Sequence, residues 1–353
     1  PLMNNISASE TVPGPLSEVV ETALNVLSEN LPAALHWRTL LITAVLGLTI
    51  YILRGGNGSK NAQGRARQAG LVKYFLPKDI YFHLSARVDI WLWIVERCLR
   101  PFWFVGLLVS VGPWVEKGLI AALTVGFGAT PELSPNYGWM LLYSLLVLLF
   151  YDFFFYAIHY CMHKVPAFWA VHKVHHSAEV LTPLTRTREH FIAGPIWAAG
   201  AALGYAIPGA IFAYLFNAAL NQATLFGVGV FAFVFGLTGN FRHYHIALHY
   251  PRWLCFWVQS PAMHHTHHSY LTKHWDTNLG AVTSIFDRVV GTLYIPEKDE
   301  YTPWGLGPES QAEYRTFAQN TLGPFKDWYA MWVRKRSPLL VPNETENDEF
   351  RRA

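Results

Sequence analysis

Residues 262–270 read AMHHTHHSY, which sets His264, His265, His267 and His268 within five positions. Neither a hydrophobic core nor a solvated surface calls for imidazole at that density. Sixteen of the 353 residues are histidine, and fourteen of these fall between His159 and His274. On a helix His264, His267 and His268 stand at i, i+3 and i+4, an arc of about 100°, so their rings can converge on one point. The same spacing occurs in HKVHH, as His172, His175 and His176. HYCMH (His159, His163) and HIALH (His245, His249) add two i, i+4 pairs, each on one helix face. Neutral imidazole suits iron, zinc or copper better than magnesium or calcium, and ten ligands suit two metal ions. His265 is left as an outer hydrogen-bond donor or a shift of frame, and His243 lies off the shared face. His36, His83, His190 and His274 have no such spacing and read as ordinary structural histidines. A tolerant membrane surface explains any single histidine here about as well as a ligand role does; it does not explain four spaced groups on one side.

The elements that must hold these residues are apolar. Hydrophobic residues make up 52% of the chain and charged ones 14%, against a usual charged share of about 25%. Aromatics supply 15%, including 14 Trp and 17 Tyr, side chains that suit the boundary of lipid tail and headgroup. The composition points to a membrane protein. Thr39–Leu53 spans if residues 35–37 join it, and Met140–Ile158 is the clearest span, with Asp152 as its one charge. Residues 191–238 contain no charge, and Pro208, Asn217, Asn221 and Gln222 predict two helices joined by a polar turn. Ile90–Val115 carries Glu96, Arg97 and Arg100 and reads as an interfacial helix that then crosses or dips in.

Lys and Arg set the orientation. Seven lie between Arg54 and Arg87, four between His159 and His190 and twelve in residues 242–353, whereas the first 37 residues have none. The histidine segments are therefore expected on the cytoplasmic side, with the N-terminus outside and about five crossings. The expected organisation is an extramembrane lead-in (1–37), an N-terminal transmembrane region (38–135) with a basic linker (54–88), a catalytic region (136–295) and a cytoplasmic tail (296–353). The lead-in lacks the basic start of a cleavable signal. Cys98, Cys161 and Cys255 show no CxxC spacing and are expected as reduced thiols.

The ordered set HYCMH, HKVHH, HIALH and HHTHH, preceded by Asp152 in DFFFYAIHY and followed by NLGAVTSIFDRVVGTLY (278–294), resembles the fatty acid hydroxylase/sterol desaturase superfamily of membrane-bound non-haem di-iron enzymes. The resemblance covers about residues 140–295; the first 135 match nothing recognisable. It implies an all-α integral membrane protein, about four to six transmembrane helices under a cytoplasmic helical cap, with a di-metal site where cap meets bilayer. It carries His159, His163, His172, His175, His176, His245, His249, His264, His267 and His268 over as ligands of two iron ions, with zinc able to substitute during purification.

The implied reaction is hydroxylation of a lipid C–H bond, fatty acyl, sterol or related, with O2 as co-substrate. Desaturation on the same site is the near alternative, and zinc binding or transport the alternative of another class. Electrons are expected from a separate ferredoxin, cytochrome or reductase, since no fused haem carrier is seen. Lys164, Lys173, Arg186, Arg188, Arg242, Arg252, Lys273 and Arg288 could attract an acidic donor, although positive-inside bias explains them more simply. Membrane lipids are the other expected partner, and nucleic acid is not. Asp152, Glu179, Glu189, Asn278 and Asp287 are the candidates for orienting the ligand rings, Asp152 and Asn278 foremost. Arg186, Arg188 and Glu189 in LTRTREHF are placed at the entrance, facing a lipid headgroup.

Overall fold

The computed structural model describes residues 37–53, 70–218, 221, 223–225, 228, 229, 239, 241–298 and 300–333. Helix α1 is Trp37–Leu53 and α2 runs without interruption over Leu84–Phe127, about 66 Å at 1.5 Å per residue. Helix α3 (Tyr137–Lys164) and α4 (Pro166–His176) meet at Val165, and α5 is Ala193–Phe216. The short α6 (Pro261–His267) and α7 (Ile285–Val290) follow, and α8 is Phe317–Val333. Among the described residues strand pairing is confined to the two-residue strands β1 (Thr224–Leu225) and β2 (Val228–Gly229) and two isolated bridges.

Two of the helices, α3 and α5, are long and apolar enough to cross a membrane. Helix α2 is longer than either, but it carries Glu96, Arg97, Glu116 and Lys117, and it replaces the expected interfacial segment at 90–115 with one continuous rod. Pro208 does not break the 191–238 stretch. It lies inside α5, whose end comes at Asn217, left-handed with φ 51°. The second limb of the expected hairpin falls mostly outside the described residues.

Helix α5 packs between α2 and α3, and small residues let it approach closely, as they do between helices in lipid. A Cβ on Gly204 would stand 2.7 Å from Tyr151 Cα, and one on Gly200 would strike Ile158 Cδ1. Backbone contact of this kind fixes α5 against the α3 turn just below His159. At the far end, Tyr214 donates to Gly128 O at 3.1 Å and Leu133 N to Leu215 O at 2.9 Å.

Residues 300–333 are not a detached tail. Helix α8 lies on α4, where Trp328 Nε1 donates to Ala167 O at 2.8 Å and Lys173 pairs with Asp327 at 2.6 Å. Part of the expected linker is also folded. Residues 70–81 pack on the segment after α5, with Tyr74, Phe241, Tyr244 and Ile246 forming a buried cluster.

Gly204→Leu is expected to lower stability by about 1–3 kcal/mol through overpacking, read as a lower Tm in detergent. Gly209→Ala is the control, because its added Cβ meets nothing nearer than Tyr143 OH at 3.9 Å. It should leave Tm unchanged or slightly raised; equal losses in the two variants would refute the close approach.

Candidate metal centre

Helix α3 brings His159 and His163 in its last turns, and Pro166 starts α4 where an N–H is not needed. Helix α4 then supplies His172, His175 and His176. Ser260 caps α6 through Met263 N at 3.3 Å, and α6 supplies His264 and His267, with His268 at its C-terminal cap. These eight are buried, and they sort by helical register. His172 and His176, at i and i+4, join His159, His163 and His267 in one group, whereas His175, at i+3, joins His264, His268 and His243 in the other. Within each group the ligating atoms lie within 4.8 Å of one another. The groups abut, His176 stacking on His268 with ring centroids 4.8 Å apart.

The fourth histidine segment differs from its helical expectation. Helical backbone ends at Arg242, and residues 243–250 form a turn, bends and a stretch without regular secondary structure, so i, i+4 spacing has no geometric meaning there. His245 and His249 lie outside both groups, and His245 Nε2 donates to Tyr74 O at 2.7 Å. His243 takes the place in the site, its Nε2 at 2.9 Å from His264 and 3.2 Å from His175. His265 holds this segment in place by donating to Phe241 O at 2.9 Å. Pro251, which disfavours helix in the residue before it, is the sequence signal against a helix here.

Backbone carbonyls fix the tautomers. His159 Nδ1 donates to Leu279 O at 2.7 Å, His267 Nδ1 to Thr277 O at 2.8 Å and His175 Nδ1 to Arg188 O at 3.2 Å. A carbonyl can only accept, so the proton sits on Nδ1 and the Nε2 lone pair points inward. His163 Nδ1 lies 3.2 Å from Asp276 Oδ1, which has the same effect.

The inward atoms are left short of donors. Nε2 of His163, His176 and His267 is buried without a hydrogen-bond partner. His243, His264 and His268 crowd their Nε2 atoms to 2.9–3.2 Å of one another. Protons cannot satisfy four converging ring nitrogens when His175 also presents a lone pair. Metal–imidazole bonds of about 2.0–2.1 Å put neighbouring nitrogens about 3 Å apart, so the donor set fits a metal ion in each group. Burial pushes His172, His176, His243, His264, His267 and His268 well below the usual imidazole value, neighbouring rings adding to it, and takes His175 to about 3. The rings are neutral and ready to ligate.

Neither Asp152 nor Asn278 touches an imidazole. Asp152 accepts from Ala281 N, Val282 N and Thr283 N at 2.8–2.9 Å and from the Thr283 hydroxyl. Asp287 accepts from Leu279 N at 2.8 Å and Gly280 N at 2.9 Å. Asn278, left-handed at φ 56°, donates to Met263 O at 3.0 Å and accepts from Tyr294 N at 2.9 Å. These groups set the loop that offers Leu279 O to His159. Glu179 donates its N–H to Ser85 Oγ at 3.1 Å. Glu189 is the expected carboxylate that does reach a ring, 3.5 Å from His175 Nδ1, and burial pushes it up to about 8. Sequence spacing missed Asp276 and all the carbonyls.

A cavity of 210 Å³ adjoins the rings of His159, His172, His175, His243 and His264. Phe155 and Trp197 stack over one side with centroids 4.7 Å apart. Arg186, Arg242 and Glu189 also line it. Arg188 does not stand at an entrance; fully buried, it pairs with Asp89 at 2.8 Å. Of the eight expected docking cations, Lys164, Arg252, Lys273 and Arg288 are exposed.

His243→Ala is expected to lose metal from the four-histidine group, whereas His245→Gln and His249→Gln keep it, as read by metal analysis of purified protein. The opposite ranking would restore the helical reading. Acid should loosen the site. Folded imidazole values lie below the unfolded 6.5, so the unfolded chain binds more protons between these limits. The stabilising contribution is full above about 6.5 and is lost as pH falls toward about 3. Tm and bound metal should both decline from pH 7 to pH 5; a Tm that rises over that interval would contradict the buried neutral rings.

Residues 144–292 match the family described as fatty acid hydroxylase. A stretch of 198 residues, 52% of the chain, is 27% identical to ornithine lipid hydroxylase OlsE of Rhizobium tropici and covers 53% of that protein. Over 197 residues, 53% of the chain, it is 27% identical to lathosterol oxidase of Mus musculus and covers 57% of it. The chain spans about half the length of the curated relatives it matches. No solved structure matches it. The histidine segments all lie inside the matched residues 144–292 and pack into one buried centre, so the likeness to the fatty acid hydroxylase/sterol desaturase superfamily rests on the residues that build that centre.

Proposed function

We propose that the protein is an integral-membrane di-iron oxygenase that hydroxylates a lipid. One observation carries the reading: nine buried imidazoles fall into abutting groups of five and four with ligating atoms within 4.8 Å. Two iron ions held there would supply the reduction of dioxygen and an oxidant able to take hydrogen from an unactivated C–H bond. The balance is one C–H, one O2, two electrons and two protons in, one C–OH and one water out. The electrons come from an external one-electron carrier protein, for which the exposed Lys164, Arg252, Lys273 and Arg288 offer a complementary charge.

The chain's own tasks are to hold the rings and keep water out. Leu279 O, Thr277 O and Arg188 O keep their protons on Nδ1, and the Phe155–Trp197 stack closes one side of the cavity. Helices α3 and α5 cross the bilayer in this reading, with the histidine end cytoplasmic. A lipid then reaches the cavity from the membrane, since α3 and α5 both line it. Zinc transport has less support. It needs charged or ligating groups along a path across the bilayer, yet α5 has no charged side chain and Asp152 of α3 is taken up by the 281–283 backbone.

Protein purified from iron-supplemented cells is expected to hold about two irons per chain, lost in a variant with His172, His175 and His176 changed to Ala. Lipids from the same cells should contain a species heavier by one oxygen, absent with the variant. A product lacking two hydrogens would point to desaturation at the same centre. Absence of metal from the wild type would sink the oxygenase reading.

A further inference from the structure

Hydroxylation of a hydrocarbon needs the rings and an apolar wall, but the cavity also carries two arginines. Arg242 directly precedes His243 and is 6% exposed. Its Nη2 is buried without a hydrogen-bond partner. Arg186, partly buried on the short 3-10 helix Pro183–Thr187, lines the same space. A guanidinium taken out of water is strongly unfavourable unless an anion or acceptor meets it. Asp152 attracts Arg242 through space, but its oxygens accept from three backbone N–H groups and a hydroxyl and no hydrogen bond joins it to Nη2, and the one carboxylate among the described lining residues, Glu189, lies toward His175. A guanidinium stays cationic at neutral pH even when buried.

Guanidinium groups match the paired oxygens of carboxylate and phosphate. The volume, 210 Å³, is smaller than the roughly 300–1,000 Å³ of pockets that engulf a drug-sized ligand. It takes one end of a lipid, and the tail stays outside. We propose that Arg242, with Arg186, binds the anionic group of the lipid substrate, a carboxylate or phosphate, so that the reacting carbon lies within a few bonds of that group. The inference rests on the oxygenase reading and narrows it to acidic lipids; an uncharged sterol offers Arg242 Nη2 no anion.

The test is binding to the purified holoenzyme in a neutral detergent, with protein-free micelles subtracted. Palmitate and 1-hexadecanol share a chain and differ in charge, so palmitate should bind about tenfold tighter or more. In Arg242→Gln the two should come to within about twofold, with metal content and Tm as folding controls. Arg186→Gln serves if the first variant does not fold, and the wild-type preference needs no variant. Equal binding of acid and alcohol overturns the proposal, as does a preference that survives in folded Arg242→Gln. Inorganic phosphate that displaces palmitate at equal concentration makes this a site for free anions and also overturns it. A protein that holds iron and oxygenates neutral lipids while ignoring palmitate defeats this inference alone; one that prefers palmitate but binds no iron defeats the oxygenase reading instead.

Discussion

The constraint on which the structure depends is the convergence of buried, neutral imidazoles whose lone pairs face one another. Buried polar atoms need partners, and carbon walls cannot provide them. A cation in each group would satisfy the inward nitrogens together, so the same burial that pushes His172 and His176 well below the usual imidazole value also prepares them as ligands. Ligation and folding are then linked. The rings hold α3, α4, α6 and the turn at His243 together only when their shared electron pairs are met.

Such a centre has to be held from outside, and the support is largely backbone. Fully buried Arg188 joins three helices through its side chain, donating to Val174 O at 3.0 Å, to Ser85 O at 3.0 Å and to Asn320 Oδ1 at 3.3 Å. Its own carbonyl meanwhile accepts the His175 proton. One residue thus couples the packing of α2, α4 and α8 to the orientation of a ligand ring. That coupling gives α8 a reason to fold back over α4, where Asn320 is fully buried.

Much of the centre was legible because helical repetition is simple. HYCMH, HKVHH and HHTHH lie on helices, and eight of their histidines converge where the 3.6-residue period puts them. The same rule failed at HIALH because residues 245–249 form no helix, so positions four apart there do not share a face. The split of HKVHH between two groups was not legible, since an arc of about 100° says that three rings can converge, not that they divide. Carbonyl partners leave no mark in a sequence, as every residue has one. Asp152 was rightly singled out as needing a partner, but that partner lies about 130 positions away in the chain.

Asp152 also bears on how deep the centre can sit. It stands seven residues before His159 on α3, about 10 Å along the axis, and a charge at such a place in a span is tolerated only if the protein meets it. Three successive N–H groups from 281–283 do so. To reach them the loop must come down alongside α3, and it folds tightly on itself as it does so: a Cβ on Gly280 would strike Thr283 O and stand 2.9 Å from Asp287 Oδ2. The descent brings Leu279 O level with His159 Nδ1. The depth of the rings is therefore set by α3 and the loop pinned to it, and the remaining ligands, on α4, α6 and the His243 turn, are brought to that level by their own packing.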